Sequence, residues 1–184
     1  MEITQAEAKR LSVLHGYGIL DTHFEERYDR LTRIAAGILG TPISLISLVD
    51  ENRQWFKAAF GLNVRETPRD ISFCAHAIHD TDVFIVPDAK KDQRFVKNPL
   101  VTGDPRIRFY AGAPLIGRKG LAIGTLCVID RKPRSEFSVG QQQALRDLAD
   151  TVVDMFELRM ALSKSQALKR ELKPLATQLA ALAR

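Results

Sequence analysis

The 184-residue sequence predicts an α+β fold, a helix/sheet/helix sandwich, on three observations. Residues 107–130 read as two strands joined by a tight turn. The second strand is apolar on both faces, with Leu121, Ile123, Thr125, Cys127 and Ile129 on one and Ala122, Gly124, Leu126 and Val128 on the other. A strand apolar on both faces must be covered on both. Amphipathic helical patterns stand at the two ends of the chain to supply cover, and the length suits one domain.

Thr4 caps a first helix, with Glu7 three residues on and Leu11 and Leu14 along one side; Gly16 and Gly18 close it. A second helix carries the stripe Phe24, Tyr28, Leu31, Ala35 and Ile38 and ends at Gly40 and Pro42. Residues 43–49 and 54–60 form a hairpin. Residues 61–70 read as a polar loop, Ser72 caps a short helix over residues 73–79, and residues 83–86 form a short strand. Residues 89–105 are rich in charge and turn signals, with Phe95 and Leu100 as anchors, and a loop this long beside a covered sheet is often functional. The turn Gly117-Arg118-Lys119-Gly120 joins the hairpin strands, its glycines free to take positive φ. Pro114 cannot donate to a central ladder, so a bulge or an unpaired edge is expected there. Ser138 opens a long helix whose stripe includes Leu145, Leu148, Val152, Phe156 and Leu162. Pro174 interrupts it before Leu175, Leu179 and Leu182 resume the pattern.

Composition narrows the function classes. Hydrophobic residues at 45% and charged residues at 27% describe an ordinary globular chain. No apolar run is long enough to cross a bilayer and no leader pattern opens the chain, so a cytoplasmic protein is expected. Two cysteines, Cys74 and Cys127, form no framework, which suits a reducing compartment. The net charge of +5 is spread among acids rather than gathered on one stretch, which argues against a nucleic-acid partner.

Several segments together resemble one subgroup of GAF domains, found at the N-termini of bacterial sensor histidine kinases and diguanylate cyclases. They are residues 16–21 (G-Y-G-I-L-D), 42–50 (P-I-S-L-I-S-L-V-D), 53–57 (R-Q-W-F-K), 72–78 (S-F-C-A-H-A-I), 86–89 (V-P-D-A), 92–95 with 98–101, 108–115 and 124–130. The resemblance implies a six-stranded antiparallel sheet, with N- and C-terminal helices on one face and a small-molecule pocket behind short helices and loops on the other. It implies dimers through the helix layer, and a histidine kinase or diguanylate cyclase output domain as partner. Residues 1–159 would be the sensor domain and residues 160–184 a helical signalling extension. The Asn-Lys-Phe-Asp-Glu motif of cyclic-nucleotide binders is absent, and Cys74 is followed by Ala75 rather than the histidine of bilin-binding members. The cysteine pattern of the methionine sulfoxide reductases is missing too, so no cofactor is indicated.

The pocket candidates are Trp55, Phe73, Cys74, His76, Asp88, Arg108, Tyr110 and Thr125. Cys74 and His76 open a short helix, where free N–H groups favour a thiolate or an anion, though a small buried residue is the ordinary fate of a free cysteine. Asp88, Arg106, Arg108 and Tyr110 either project polar groups into the pocket or form structural pairs. Trp55 and Phe56 point to opposite faces, so at least one packs in the core. No metal set is complete. Leu11, Leu14, Val152, Phe156 and Leu162 are the candidates for a homodimer seam. The expected function is non-enzymatic sensing of a small molecule. The rivals are a dimerisation scaffold whose pocket is closed by Phe109, Tyr110 and Trp55, and a redox switch through Cys74.

Overall fold

The apolar segments 43–60 and 107–130 supply the four inner strands of one six-stranded antiparallel sheet, seen in a computed structural model that describes residues 4–182, with side chains through residue 174. The strands are β1 (Ile43–Val49), β2 (Arg53–Phe60), β3 (Glu66–Pro68), β4 (Phe84–Val86), β5 (Phe109–Ile116) and β6 (Ala122–Asp130), in the order β3-β2-β1-β6-β5-β4. The short edge strand β3 lies where a loop is expected. It carries no apolar alternation, and Pro68 is tolerated because it sits at the sheet edge. Pro114 also finds an open side: β4 stops opposite Gly112, so beyond that point β5 pairs only with β6.

Two bulges set which side chains reach which face. In β2 the pairing steps from Ile46–Ala58 to Ser47–Phe56, leaving Lys57 as the extra residue. In the β5–β6 hairpin it steps from Leu115–Gly124 to Ile116–Ala122, leaving Ile123 extra. Ile123 therefore joins Leu126 and Val128 on the helix face, while Cys127 and Ile129 face the other way; the simple alternation of residues 121–129 is broken at this point. In the hairpin turn the positive φ values fall on Lys119 (66°) and Gly120 (69°), and Gly117 stays at −80°. At the sheet centre Gly124 lies against β1 so closely that a Cβ would sit 2.0 Å from the Ser47 carbonyl oxygen.

Helices α1 (Gln5–Gly16), α2 (Glu26–Leu39) and α5 (Val139–Leu182) cover one face. Thr4 caps α1, its hydroxyl accepting from the Glu7 N–H at 3.3 Å. Helix α2 buries Tyr28, Leu31, Thr32, Ala35, Ala36 and Leu39 and ends at Gly40 with φ 63°. Phe24 and Ile38, the outer members of the expected stripe, are 52% and 63% exposed, because the buried arc lies further round the helix. Ser138 opens α5 as a capping box with Gln141, each side chain bonding the other residue's N–H. Leu145, Ala149, Val152, Phe156 and Met160 bury the inner side of α5 against the sheet. The helix continues through Pro174, which removes one intrahelical hydrogen bond but leaves the turns on either side to hold it. Leu175, Leu179 and Leu182 lie outside the described side chains.

Four of the five proposed dimer-seam residues fall inside this single chain. Leu11, Leu14, Val152 and Phe156 are at most 6% exposed, because the sheet consumes the first apolar face of each helix, whereas Leu162 is 51% exposed. Trp55 also belongs to this helix-side core rather than to a pocket.

Charges lock the layer in place. Lys57, bulged towards the helices and fully buried, donates to Thr22 Oγ1 (2.9 Å), the His23 carbonyl (2.6 Å) and Glu25 Oε1 (2.8 Å). Its three ammonium donors thus have three acceptors, the condition under which a buried cation is tolerated. Arg10, also buried, reaches from α1 to the Val49 carbonyl at 2.7 Å and pairs with Glu7, which Arg69 grips from the pocket side at 2.6 Å. The Arg10 hydrogen bonds, helped by Arg69, outweigh burial and hold the Glu7 carboxyl at about 2, below its usual 4.5. A carboxyl with a depressed folded pKa stabilises above its unfolded pKa and loses that contribution as pH falls through the folded one. Glu7→Gln is therefore expected to lower urea-unfolding stability at neutral pH by about 1–2 kcal/mol. The gap should close between about pH 4.5 and 2; an equal gap at both ends of that window would contradict the assignment.

Candidate functional site

The second face of the sheet is covered by short elements: a 3₁₀ turn at Arg69–Ile71, α3 (Cys74–Ala77) and α4 (Pro99–Thr102). Asn98 builds α4 twice over, accepting from the Leu100 N–H at 2.9 Å and donating to the Ile71 carbonyl at 2.9 Å, which ties the long loop to the 3₁₀ turn. Arg108 ties down the same loop, donating to the carbonyls of Val101 (3.0 Å) and Ile107 (2.8 Å). Ser72 caps α3 by accepting from the Ala75 N–H at 3.1 Å.

Over β5 and β4 this face is filled by the protein's own rings. Phe73 and Phe95 stack with centroids 3.9 Å apart, and Phe84 and Tyr110 close around them. Tyr110 is fully buried, and a Cβ on Gly112 would collide with its hydroxyl at 2.3 Å, so the small residue in β5 makes room for the tyrosine rather than for a ligand.

Over β1, β2 and the end of β6 an apolar cavity of about 180 Å³ remains. Leu45, Phe56 and Ile129 form its floor, Leu62, Val64, Phe73 and Cys74 its walls, and Leu100, Pro105 and Ile107 its far side. The polar groups on its lining are Gln54, Thr67, Asp104 and the Cys74 thiol. Gln54 is committed internally: its oxygen accepts from Ser72 (2.5 Å) and Ser47 (3.3 Å), and its amide donates to Thr67 at 2.6 Å. Asp104, exposed, is left for a guest.

Of the eight pocket candidates, Phe73 and Cys74 line this cavity. Trp55 faces the helices because the strand turns it opposite Phe56. His76 is exposed on an open groove with His79, its ring edge-on to Phe95 at 4.9 Å. Partial burial, with Arg94 and His79 close by, lowers its pKa. Asp88 caps a turn by accepting from the Lys90 N–H, and Arg108 braces the loop as above. Tyr110 and Thr125 are buried beneath α3, beside Cys74. Leu45, Gln54, Leu62, Val64, Thr67, Asp104 and Ile107 were not read from the sequence as site residues; the signal available was Phe56, which the strand turns opposite Trp55.

Beside the cavity, Cys74 and Cys127 meet. Their sulfurs are 4.0 Å apart, and the Tyr110 hydroxyl donates to Cys74 at 3.4 Å. Burial raises the Cys74 thiol, but its hydrogen bonds with Cys127 and Tyr110, with the Thr125 and Ser47 hydroxyls close by, outweigh that and bring it down to about 6. Cys127 is pushed well up by its hydrogen bond with Cys74 and by burial, so the two thiols titrate as a linked pair. Among the described residues no group of three His, Cys, Asp or Glu side chains could hold a metal ion.

The chain matches the GAF domain family over residues 23–153 and belongs to it. It is 46% identical over 147 residues to a cyclic di-GMP phosphodiesterase of Pseudomonas aeruginosa, an alignment that takes in 80% of this chain and 25% of that protein. The chain thus spans about a quarter of the length of that curated relative. Its fold is shared with the GAF domain of an Acinetobacter phosphoenolpyruvate-protein phosphotransferase (TM-score 0.60, 18% identity, 89% of this chain and 97% of that one). It is shared too with the blue-light-absorbing PixJ GAF domain of Thermosynechococcus elongatus (TM-score 0.62, 11% identity, 92% and 98%). No helix among the described residues is long and apolar enough to cross a membrane.

Proposed function

We propose that this chain is the non-enzymatic, cytoplasmic sensor module of a bacterial signalling protein, and that its ligand is a small, mainly apolar molecule. The observation that supports this best is the preformed 180 Å³ cavity floored by the sheet. An apolar cavity of about 150 Å³ is enough to take benzene. The ligand is therefore the size of one or two small rings. The Asp104 carboxylate on the lining favours a guest with an N–H or O–H donor and disfavours an anion. The likeness to a cyclic di-GMP phosphodiesterase supports an output that turns over a cyclic dinucleotide, in place of a histidine kinase or diguanylate cyclase.

Strand β6 is the physical link from ligand to output. Ile129 lines the cavity while Leu126 and Val128, on the opposite face, lie in the core that α5 covers. A ligand that prefers one setting of β6 would bias the seating of α5. Beyond Met160, every described side chain of α5 to residue 174 is exposed. Leu158, Leu162, Leu168 and Leu172 share one face, about 180° from the core-facing residues at 100° per residue. That outward stripe is the proposed homodimer seam, an arrangement in which two copies would pair and carry the change to the output.

Isothermal titration with indole, phenol, benzene and benzoate tests the pocket. Indole and phenol are expected to bind, benzoate to fail, and Leu62→Trp to weaken binding at least about tenfold by filling the cavity. Absence of heat from every probe at millimolar concentration would contradict the sensor reading. Multi-angle light scattering tests the seam: Leu162→Glu with Leu172→Glu should turn a dimer into a monomer, while a monomeric parent chain would remove the proposal.

A further inference from the structure

The cavity explains Phe73 but not the chemistry gathered beneath it. Cys74, at the start of α3, and Cys127, in the central strand β6, lie 53 positions apart and bring their sulfurs to 4.0 Å. Neither touches the helix layer, and nothing in the sensing scheme needs two thiols in contact. The Thr125 hydroxyl is fully buried in the same group and has no hydrogen-bond partner. In a packed interior such an orphan is costly, and a thiolate on Cys74 would give it an acceptor. Tyr110 is already aimed at that sulfur, at 3.4 Å. A thiolate on Cys74 would therefore find two hydroxyl donors, Tyr110 and Thr125, already in place.

We propose that Cys74 and Cys127 form a peroxide-responsive dithiol, oxidised to an intramolecular disulfide by hydrogen peroxide entering through the apolar cavity. Cys74 lines that cavity and Cys127 does not, so the oxidant meets Cys74 first. The Cys74 thiolate attacks one peroxide oxygen, the O–O bond breaks, and the departing hydroxide takes up a proton as water, leaving a sulfenic acid on Cys74. The Cys127 sulfur then attacks the Cys74 sulfur, the S–S bond forms as the S–O bond breaks, and the second oxygen leaves as water with the Cys127 proton. Two thiols lose two electrons, and one peroxide becomes two waters.

Closing the sulfurs from 4.0 Å to the disulfide distance of about 2.05 Å needs motion of one partner. Cys127 is fixed in the sheet centre, paired with Leu45 and Gly112 on either side, whereas α3 is a single four-residue turn. Helix α3 moves, and Phe73, which lines the cavity next to Cys74, moves with it. Oxidation would therefore alter the same cavity that the proposed ligand enters, yet the disulfide itself does not depend on any ligand being bound.

The test is thiol mapping of the whole folded chain after graded hydrogen peroxide. The reaction is quenched with catalase, remaining thiols are alkylated in denaturant, and peptides are identified by mass. The expected result is simultaneous loss of both alkylation sites and a Cys74–Cys127 peptide pair lighter by two hydrogens, restored by dithiothreitol. It should form at least about tenfold faster in the folded chain than in the same chain in urea, where the sulfurs are not held together. Cys127→Ala is expected to stop at a Cys74 sulfenic acid, which dimedone traps; should that variant fail to fold, the wild-type rate ratio decides alone. Persistence of both thiols, a Cys74–Cys74 bridge between chains, or slower reaction when folded would each overturn the proposal.

Discussion

At the middle of the sheet β6 passes β1 at Gly124 with no room for a side chain. That contact sets the centre of the sheet, and the rest is arranged around it. Ser47 pairs there with Thr125 and Leu45 with Cys127, so the two middle strands bring Ser47, Thr125 and Cys127 together under α3. The same pairing puts Ile46, Leu48, Leu126 and Val128 on the helix face as one apolar surface broad enough for three helices. The two faces of the sheet are unequal for this reason. One is buried under long amphipathic helices; the other is roofed by turns and four-residue helices that leave part of it uncovered.

The bulges at Lys57 and Ile123 convert a plain sandwich into one with a charged lock and a shifted cavity. Without the extra residue in β2, Lys57 would not join Ala58 on the helix side, and Glu25 and Tyr28 would lose the ammonium that sits between them. Without the extra residue in β6, Ile123 would fall on the cavity face. Bulges thus decide which strand residues are core and which are site, a choice that strand period alone does not encode.

This explains what was legible in the sequence. The order of the long elements, the cap at Thr4, the open side at Pro114 and the sheet flanked by terminal helices follow from periodicity, caps and breakers, which are local. The sixth strand came from family likeness, since Glu66–Pro68 has no pattern of its own. Site residues were read less well, because facing is decided by long-range pairing. Phe73 and Cys74 lie in the cavity wall, whereas Trp55 was turned to the helices, and Asp88 and Arg108 went to the loop backbone. Tyr110 fills the space it was expected to line. The contact between Cys74 and Cys127 was invisible, since no spacing rule joins residues 74 and 127.

The central claim is that one rigid divider, β1 with β6, separates a tightly closed face from a yielding one. Native-state hydrogen exchange followed residue by residue tests it most directly. The account predicts that the amides of β1 and β6 exchange only with global unfolding, while those of residues 62–67 and of α4 exchange through a smaller, local opening around the cavity. Exchange from β6 as easy as from α4, or protection of α4 up to the global limit, would contradict it.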